Sequence, residues 1–261
     1  MMKAENLSQN GVSQPLPGGP DNPGAPLTRQ PRAIFLDLDD TLWPLEPAMR
    51  AAEAHLADWL ARQAPGAAVR LDPPGRARLR TEVFADHPER GHDLSFLREE
   101  LIRRALVAAG EDAALAPIAF RVFIDARQAV TPYADAEEVL GRWSARYRLV
   151  ALSNGNGDIS KTRLARYFSG AVNPSHAGAA KPDPRIFHHA CELIGVKPEA
   201  ALHIGDDPHL DLIAARKAGL QGAWLLREDH AHRHPADACG AWHPAPFRDL
   251  AAIEAALAAI G

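Results

Sequence analysis

Three aspartates lie close together at the end of an apolar segment near the start of the chain. Asp37, Asp39 and Asp40 fall within the stretch RAIFLDLDDTLWP, residues 32–44. A carboxylate leaves water only at a large cost unless a cation or hydrogen-bond donors receive it. The crowding therefore indicates either an exposed loop or a site that holds positive charge.

Further polar groups lie at the ends of later apolar runs or just before a helix signal. They are Ser153 with Asn154, Lys181, and Asp206 with Asp207 and Asp211. In an open parallel sheet, ligands bind outside the carboxyl ends of the strands, where the loops converge. The set predicts Mg²⁺ beside a phosphate, because Mg²⁺ prefers a few carboxylates together with water and phosphate oxygens. An EF-hand is excluded, since Thr41 and Leu42 stand where its acidic residue and glycine are needed.

The elements that must position these groups alternate along the chain. Strands are predicted at residues 33–39, 147–154, 170–175, 200–207 and 220–226, and helices at 159–168, 183–196 and 210–219. This alternation predicts a parallel sheet with right-handed crossovers. Between the first two strands, amphipathic runs at 46–64, 93–110 and 116–130 and a proline-broken segment near 72–86 predict an all-helical insertion.

The predicted domain organisation follows from these patterns. Residues 1–31 are rich in Pro, Gly, Asn and Gln and are expected to form a disordered leader. Residues 32–45 and 131–261 are expected to form the α/β core, with the helical insertion over 46–130.

Composition limits the class of protein. The 261 residues are 46% hydrophobic with a formal net charge of -4, which is typical of a soluble globular protein and gives no basic face for nucleic acid. No run reaches the roughly 18 apolar residues of a membrane helix. Cys191 and Cys239 form no local motif. A cytoplasmic protein with no membrane or nucleic-acid partner is expected.

The order and spacing of the polar groups resemble the four sequence motifs of the haloacid dehalogenase superfamily. The motifs are DLDDT after an apolar strand, Ser153 at the end of the next strand, Lys181 before a helix, and GDDPHLD at 205–211. The resemblance covers residues 32 to about 227. It implies a Rossmann-like three-layer parallel sheet with a C1-type helical cap inserted after the first strand.

The resemblance also implies roles for the catalytic and phosphate-binding residues. Asp37 would be the nucleophile and Asp39 the general acid and base, while Ser153, Asn154 and Lys181 would bind the substrate phosphate. An aspartyl-phosphate intermediate divides a difficult hydrolysis into two easier steps. Because the dehalogenases of the family lack an acid two positions after the nucleophile, Asp39 favours phosphomonoester hydrolysis or phosphomutase chemistry, of which hydrolysis is the commoner.

The same resemblance implies a Mg²⁺ site. Asp37, Asp39 and Asp206 would hold the ion, although the sequence leaves open whether Asp206 or Asp207 is the direct ligand. Thr41, Asp207 and Asp211 would support the residues that contact the ion.

The expected substrate is a small phosphomonoester, because a helical lid over the strand ends encloses a pocket of modest size. The motifs are most similar to those of a bacterial subgroup associated with flavin mononucleotide and with the phosphorylated ribityl-aminouracil of riboflavin synthesis. Sugar phosphates, phosphoglycolate and nucleoside monophosphates stay open as alternatives. The alternative from a different class of protein is a phospho-accepting regulatory switch. Such a protein would be about half this length and would lack the helical insertion.

Two C-terminal features are less specific. The His-dense segment DHAHRHPAD, residues 229–237, is interpreted as a surface loop rather than a metal tract. The tail LAAIEAALAAI, residues 250–260, predicts a last helix packed on the sheet and leaves both a monomer and a homodimer possible.

Overall fold

A parallel sheet forms the centre of the computed structural model, which describes residues 27–230 and 245–260. Within those residues the sheet has five strands in the order β3-β2-β1-β4-β5, all parallel. Their bounds are β1 Ala33–Leu36, β2 Arg148–Leu152, β3 Gly170–Val172, β4 Ala201–Gly205 and β5 Gln221–Trp224. All five predicted strands are present, each shorter than predicted because its last residues turn into a loop.

Helices cover both faces of the sheet, so the fold is the predicted three-layer α/β architecture. They are α6 Ala136–Ser144, α7 Pro174–Ala177, α8 Pro184–Ile194, α9 Ala214–Lys217 and α10 Leu250–Ala258. Side chains alternate along β1 as a strand requires. Ile34 packs on one face with residues of α6 and α10, and Phe35 packs on the other face with Phe187 of α8.

Five helices precede α6 in the connection between β1 and β2. They are α1 Leu45–Gln63, α2 Pro65–Arg70, α3 Pro73–Asp86, α4 Leu94–Ala109 and α5 Ala116–Arg127. They share a hydrophobic cluster of their own, which includes Leu56, Leu101 and Phe123. Asp93 caps α4 by accepting a hydrogen bond from the backbone N–H of Phe96, and Gly110 ends that helix with φ 75°.

Two of the predicted helices differ in the structure. Residues 159–168 form two separate 3₁₀ turns, Ile159–Lys161 and Ala165–Tyr167. Thr162 interrupts them because its extended backbone ends the first turn, while its hydroxyl bonds the Ile159 carbonyl and accepts from the Leu164 N–H. The predicted helix at 210–219 is a π-helical turn, Pro208–Ile213, that continues into α9.

The predicted leader is described only at its end. Residues 1–26 lie outside the described residues, while Leu27 is buried in the core and the backbone N–H groups of Thr28 and Arg29 both donate to Gln221 Oε1 at 3.1 Å. This part of residues 1–31 is therefore ordered against β5. Across the described ranges, every helix is too short or too polar to pass through a bilayer.

Candidate active site

The carboxyl ends of three adjacent strands bring the predicted motifs together. Asp37 follows β1, Ser153 follows β2 and Asp206 follows β4, and β1 lies between the other two strands in the sheet. Lys181 lies in the loop before α8 and reaches the same rim. The sheet order thus explains how Asp37 and Asp206, 169 positions apart, share one site.

Lys181 is the centre of a buried network of charges. Its Nζ donates to Asp37 Oδ1 at 2.8 Å and to Asp211 Oδ1 at 2.6 Å. His203 Nε2 lies 2.8 Å from the same Asp211 oxygen, and the backbone N–H of Asp207 donates to Asp211 Oδ2 at 3.0 Å. Asp37 and Asp211 therefore hold the ammonium in place together.

Asp211 approaches the end of β4 more closely than a side chain there would permit. A Cβ atom at Gly205 would lie 2.1 Å from Asp211 Cγ. Glycine is therefore required at the last position of β4 for the carboxylate to reach Lys181.

The network contains more negative charge than Lys181 offsets. Burial raises the pKa of Asp37 to about 7, although Lys181 opposes the rise. Burial, followed by repulsion from Asp37, raises the pKa of Asp206 to about 9. Against its own burial, Asp211 has a pKa held well below the usual range by Lys181 and His203, and the two carboxylates raise the pKa of Lys181. This excess of negative charge would stabilise a bound cation.

A group of carboxylates in this network fits a divalent cation. Oxygens of Asp37, Asp206 and Asp211 all lie within 4.8 Å of one another. These are hard oxygen donors of the kind that Mg²⁺ prefers. The carboxylate of Asp207 is occupied elsewhere, because it accepts from the N–H groups of His209 and Leu210 and caps the π-helical turn. Of the two candidates that the sequence leaves open, the Asp206 side chain is the one in the group.

Asp39 lies outside this group and contacts two other residues. Its Oδ1 accepts from Trp43 Nε1 at 2.9 Å, and both of its oxygens lie 2.6 Å from Arg127 Nη2 at the end of α5. The sequence predicts a metal-binding role for Asp39, but its carboxylate is not among the clustered oxygens. The side chain instead faces the cavity from the nucleophile loop.

Asp40 and Thr41 shape that loop. Asp40 adopts φ 58°, and its carboxylate accepts from the Leu45 N–H at 2.8 Å and lies 2.9 Å from His230 Nε2. The buried Thr41 carbonyl accepts from Arg227 Nε and Nη2 at 3.1 and 2.9 Å. Both residues therefore fix the turn that presents Asp37 and Asp39.

The predicted phosphate-binding residues fall into two kinds. Ser153 lines the cavity, and its Oγ accepts from the Gly155 N–H at 3.0 Å. Asn154 is bound to the backbone of Lys181 through both ends of its amide, at 2.7 and 2.8 Å. Because these bonds occupy the amide, we propose that Asn154 positions Lys181 rather than contacting phosphate directly.

A cavity of about 700 Å³ opens above this rim. Its floor contains Asp37, Asp39, Ser153 and Lys181, and its walls come from the helices between β1 and β2. The wall residues combine guanidinium groups with apolar and aromatic side chains: Arg76, Arg80, Arg98, Met49, Phe84, Leu97, Leu101 and Phe123. A ligand there would be enclosed between the catalytic rim and these helices.

Sequence reasoning missed two buried residues of the site. Arg127 is one of many arginines in the amphipathic helices, and its partner Asp39 lies 88 positions away. His203 is the polar residue of an otherwise apolar strand, and that pattern was the available signal. In contrast, Asp207 followed by Pro208 has the signature of a helix cap, which identifies its role locally.

Comparison with known proteins identifies the family. The family described as haloacid dehalogenase-like hydrolase matches residues 31–219. The chain therefore belongs to the haloacid dehalogenase-like hydrolases, as the motifs predicted, and is an enzyme of that class.

Individual relatives carry different names. The chain is similar to 5-amino-6-(5-phospho-D-ribitylamino)uracil phosphatase YigB of Escherichia coli, with 28% identity over 76% of this chain and 84% of that protein. It is 35% identical to a phosphoserine phosphatase of Thermus thermophilus, over 50% of this chain and 55% of that protein. Among solved structures, a 2-haloacid dehalogenase from Pseudomonas syringae superposes with a TM-score of 0.80 at 31% identity, covering 89% of this chain and all of that one.

Proposed function

We propose that the protein is a Mg²⁺-dependent phosphomonoester hydrolase that acts on a small phosphorylated metabolite through an aspartyl-phosphate intermediate on Asp37. One observation supports this proposal most: Lys181 Nζ bonds Asp37 at 2.8 Å beside the carboxylate group, and Asp39 faces the same cavity two residues further on. This arrangement supplies a nucleophile, a cation for phosphate oxygens and a proton donor within one enclosed space.

The reaction would begin at Asp37. A carboxylate oxygen of Asp37 attacks phosphorus while the bond from phosphorus to the leaving oxygen breaks, and Asp39 gives that oxygen a proton. Lys181 reduces the repulsion between the attacking carboxylate and the phosphate oxygens. Asp37 and Asp206 would hold Mg²⁺, which supplies further positive charge to the phosphate when bound, and Asp211, whose oxygens bond Lys181, His203 and the Asp207 N–H, would support them.

The second half of the reaction restores the enzyme. Water attacks the phosphorus of the Asp37 acyl phosphate and gives its proton to Asp39, and the bond between phosphorus and Asp37 breaks to release phosphate. Ser153 lies at the end of β2 on the cavity floor and is placed to donate its hydroxyl to a phosphate oxygen.

For the substrate, we propose 5-amino-6-(5-phospho-D-ribitylamino)uracil or flavin mononucleotide. The relative in Escherichia coli is named for the first compound and aligns over most of both chains. A cavity of about 700 Å³ falls within the range of small-molecule sites, and its aromatic and guanidinium walls suit a planar ring with carbonyl groups. Sugar phosphates, phosphoglycolate and nucleoside monophosphates are the alternatives.

We further propose that residues 46–130 act as a cap over a core formed by 32–45 and 131–261. The helices of that range share one hydrophobic cluster and supply the cavity walls. A cytoplasmic location, and a monomeric or homodimeric state, stay predictions.

The deciding experiment compares kcat/KM for these phosphomonoesters, together with a 2-haloacid because of the dehalogenase neighbour. We expect the highest value for the ribityl compound or flavin mononucleotide and no halide release. A sugar phosphate that exceeds both by tenfold would refute the flavin-pathway substrate, while halide release without phosphatase activity would refute the phosphatase proposal. A phospho-accepting switch would instead stop after one equivalent of phosphate.

A further inference from the structure

Arg127 joins the helices between β1 and β2 to the catalytic rim. It is the last residue of α5, only 1% of its surface is exposed, and its Nη2 lies 2.6 Å from both carboxylate oxygens of Asp39. Trp43 holds the same carboxylate from the core side through Nε1 at 2.9 Å. Asp39 is therefore fixed between one residue of the nucleophile loop and one residue of the helical insertion.

The other two nitrogens of Arg127 make a purely structural role a poor explanation. Nε and Nη1 are buried without a hydrogen-bond partner in the part of the chain that the structure describes. A buried donor without a partner lowers stability, and a buried guanidinium is stabilised chiefly by the charge it faces. Arg127 therefore occupies this place at a cost to folding, with Asp39 as its ion-pair partner.

The surroundings leave the guanidinium little freedom. A Cβ atom at Gly157 would lie 3.2 Å from Nη2 and 3.7 Å from Cζ, so the loop after β2 packs closely against the guanidinium. Arg127 also lines the cavity with Asp39. Arg127 belongs to α5 and Asp39 to the loop after β1, so the contact depends on how α5 is placed against that loop.

We propose that Arg127 is a positioning residue that orients the Asp39 carboxylate towards the leaving oxygen and makes this orientation depend on the closed placement of α5. The inference rests on the proposed phosphatase function. It adds a residue that the four motifs do not contain and links the helical insertion directly to the proton-transfer step.

The test uses Arg127→Met and Arg127→Lys, with Arg121→Met as the control because Arg121 is exposed on the same helix. Two substrates are compared: p-nitrophenyl phosphate, whose leaving group departs with little help from an acid, and an alkyl phosphate, which needs protonation. In Arg127→Met we expect kcat/KM for the alkyl ester to fall about 100-fold and for the aryl ester less than about tenfold, as loss of a placed general acid predicts. Arg127→Lys should recover part of the loss, and Arg121→Met should stay within twofold of wild type.

Thermal unfolding separates positioning from structural support. We expect Arg127→Met to lower Tm, because it leaves the largely buried Asp39 carboxylate without its ion-pair partner, and Arg127→Lys to keep Tm near that of the wild type because it retains the charge. The inference would be overturned if Arg127→Met lost the same factor in kcat/KM on both esters, or if its kinetics were unchanged. It would also be overturned if Tm fell in both Arg127 variants but not in the control. If the wild-type enzyme hydrolyses neither ester, the proposed function fails first, and the two failures are thereby distinguished.

Discussion

Gly155 offers a way to displace Asp39 without altering any charged residue. A Cβ atom at position 155 would lie 2.7 Å from Asp39 Oδ2 and 3.4 Å from Ser153 Oγ. Ordinary contact begins near 3.4 Å, so in Gly155→Ala the two groups must separate by about 0.7 Å. Gly155 is not among the positive-φ residues, so the substitution introduces this contact without backbone strain.

The displacement should reduce activity more than stability. Asp39 cannot move freely, because Arg127 and Trp43 hold it at 2.6 and 2.9 Å. A misplacement on the order of 1 Å costs up to about 100-fold in rate. We therefore expect kcat/KM to fall about 10- to 100-fold, equivalent to about 1.4–2.7 kcal/mol. Tm should change by no more than about 3 °C. Alanine reduces the conformational entropy of the unfolded chain, and this gain opposes the cost of the close contact in the folded protein.

Gly141→Ala is the matched control for the assay with p-nitrophenyl phosphate and an alkyl phosphate. Gly141 lies within α6, and a Cβ atom at this position would meet its nearest neighbour, Tyr167 Cε1, at 3.6 Å. Alanine there should preserve kcat/KM and raise stability by up to about 1 kcal/mol. A folded Gly155→Ala protein with kcat/KM within twofold of wild type would refute the requirement for a fixed Asp39.

Three further outcomes are expected. EDTA should abolish phosphatase activity, and Mg²⁺ but not Ca²⁺ should restore it, because Ca²⁺ has a larger and looser coordination sphere; full activity with Ca²⁺ alone contradicts this. Asn154→Ala should lower both kcat and Tm, since it removes two hydrogen bonds to the Lys181 backbone, and an unchanged kcat would exclude the positioning role. Cys191 is buried and burial raises its pKa to about 11, so in a Cys239→Ser background its thiol should react with a thiol reagent at pH 8 only after denaturation.

The residues at the strand ends could be predicted because their signals are local. Asp37, Ser153 and Asp206 each follow a short apolar run, and parallel strands place such positions at one rim. The five strands were predicted for the same reason. The predicted ends of the strands are less accurate than their positions. The last residues of each predicted strand belong to loops, and the periodicity of apolar residues does not show where a strand turns into a loop.

Other features depend on tertiary contacts and left no local signal. Nothing in the sequence around Arg127 distinguishes it from Arg121 on the same helix, since its partner is 88 positions away. The Asp39 carboxylate lies outside the group of clustered oxygens and bonds Arg127 instead, which the sequence does not indicate. The helix predicted at 159–168 failed for a local reason, because the Thr162 hydroxyl competes for backbone partners within the helix.

Turnover of p-nitrophenyl phosphate by the wild-type protein and by Asp37→Asn tests the central claim most directly. The substitution preserves side-chain volume but removes the nucleophile, so we expect many turnovers with Mg²⁺ in the wild type and none above background in a variant that keeps its far-UV spectrum and remains folded. Substantial activity in folded Asp37→Asn, or release of a single equivalent of nitrophenol by the wild type, would contradict hydrolysis through an aspartyl-phosphate on Asp37.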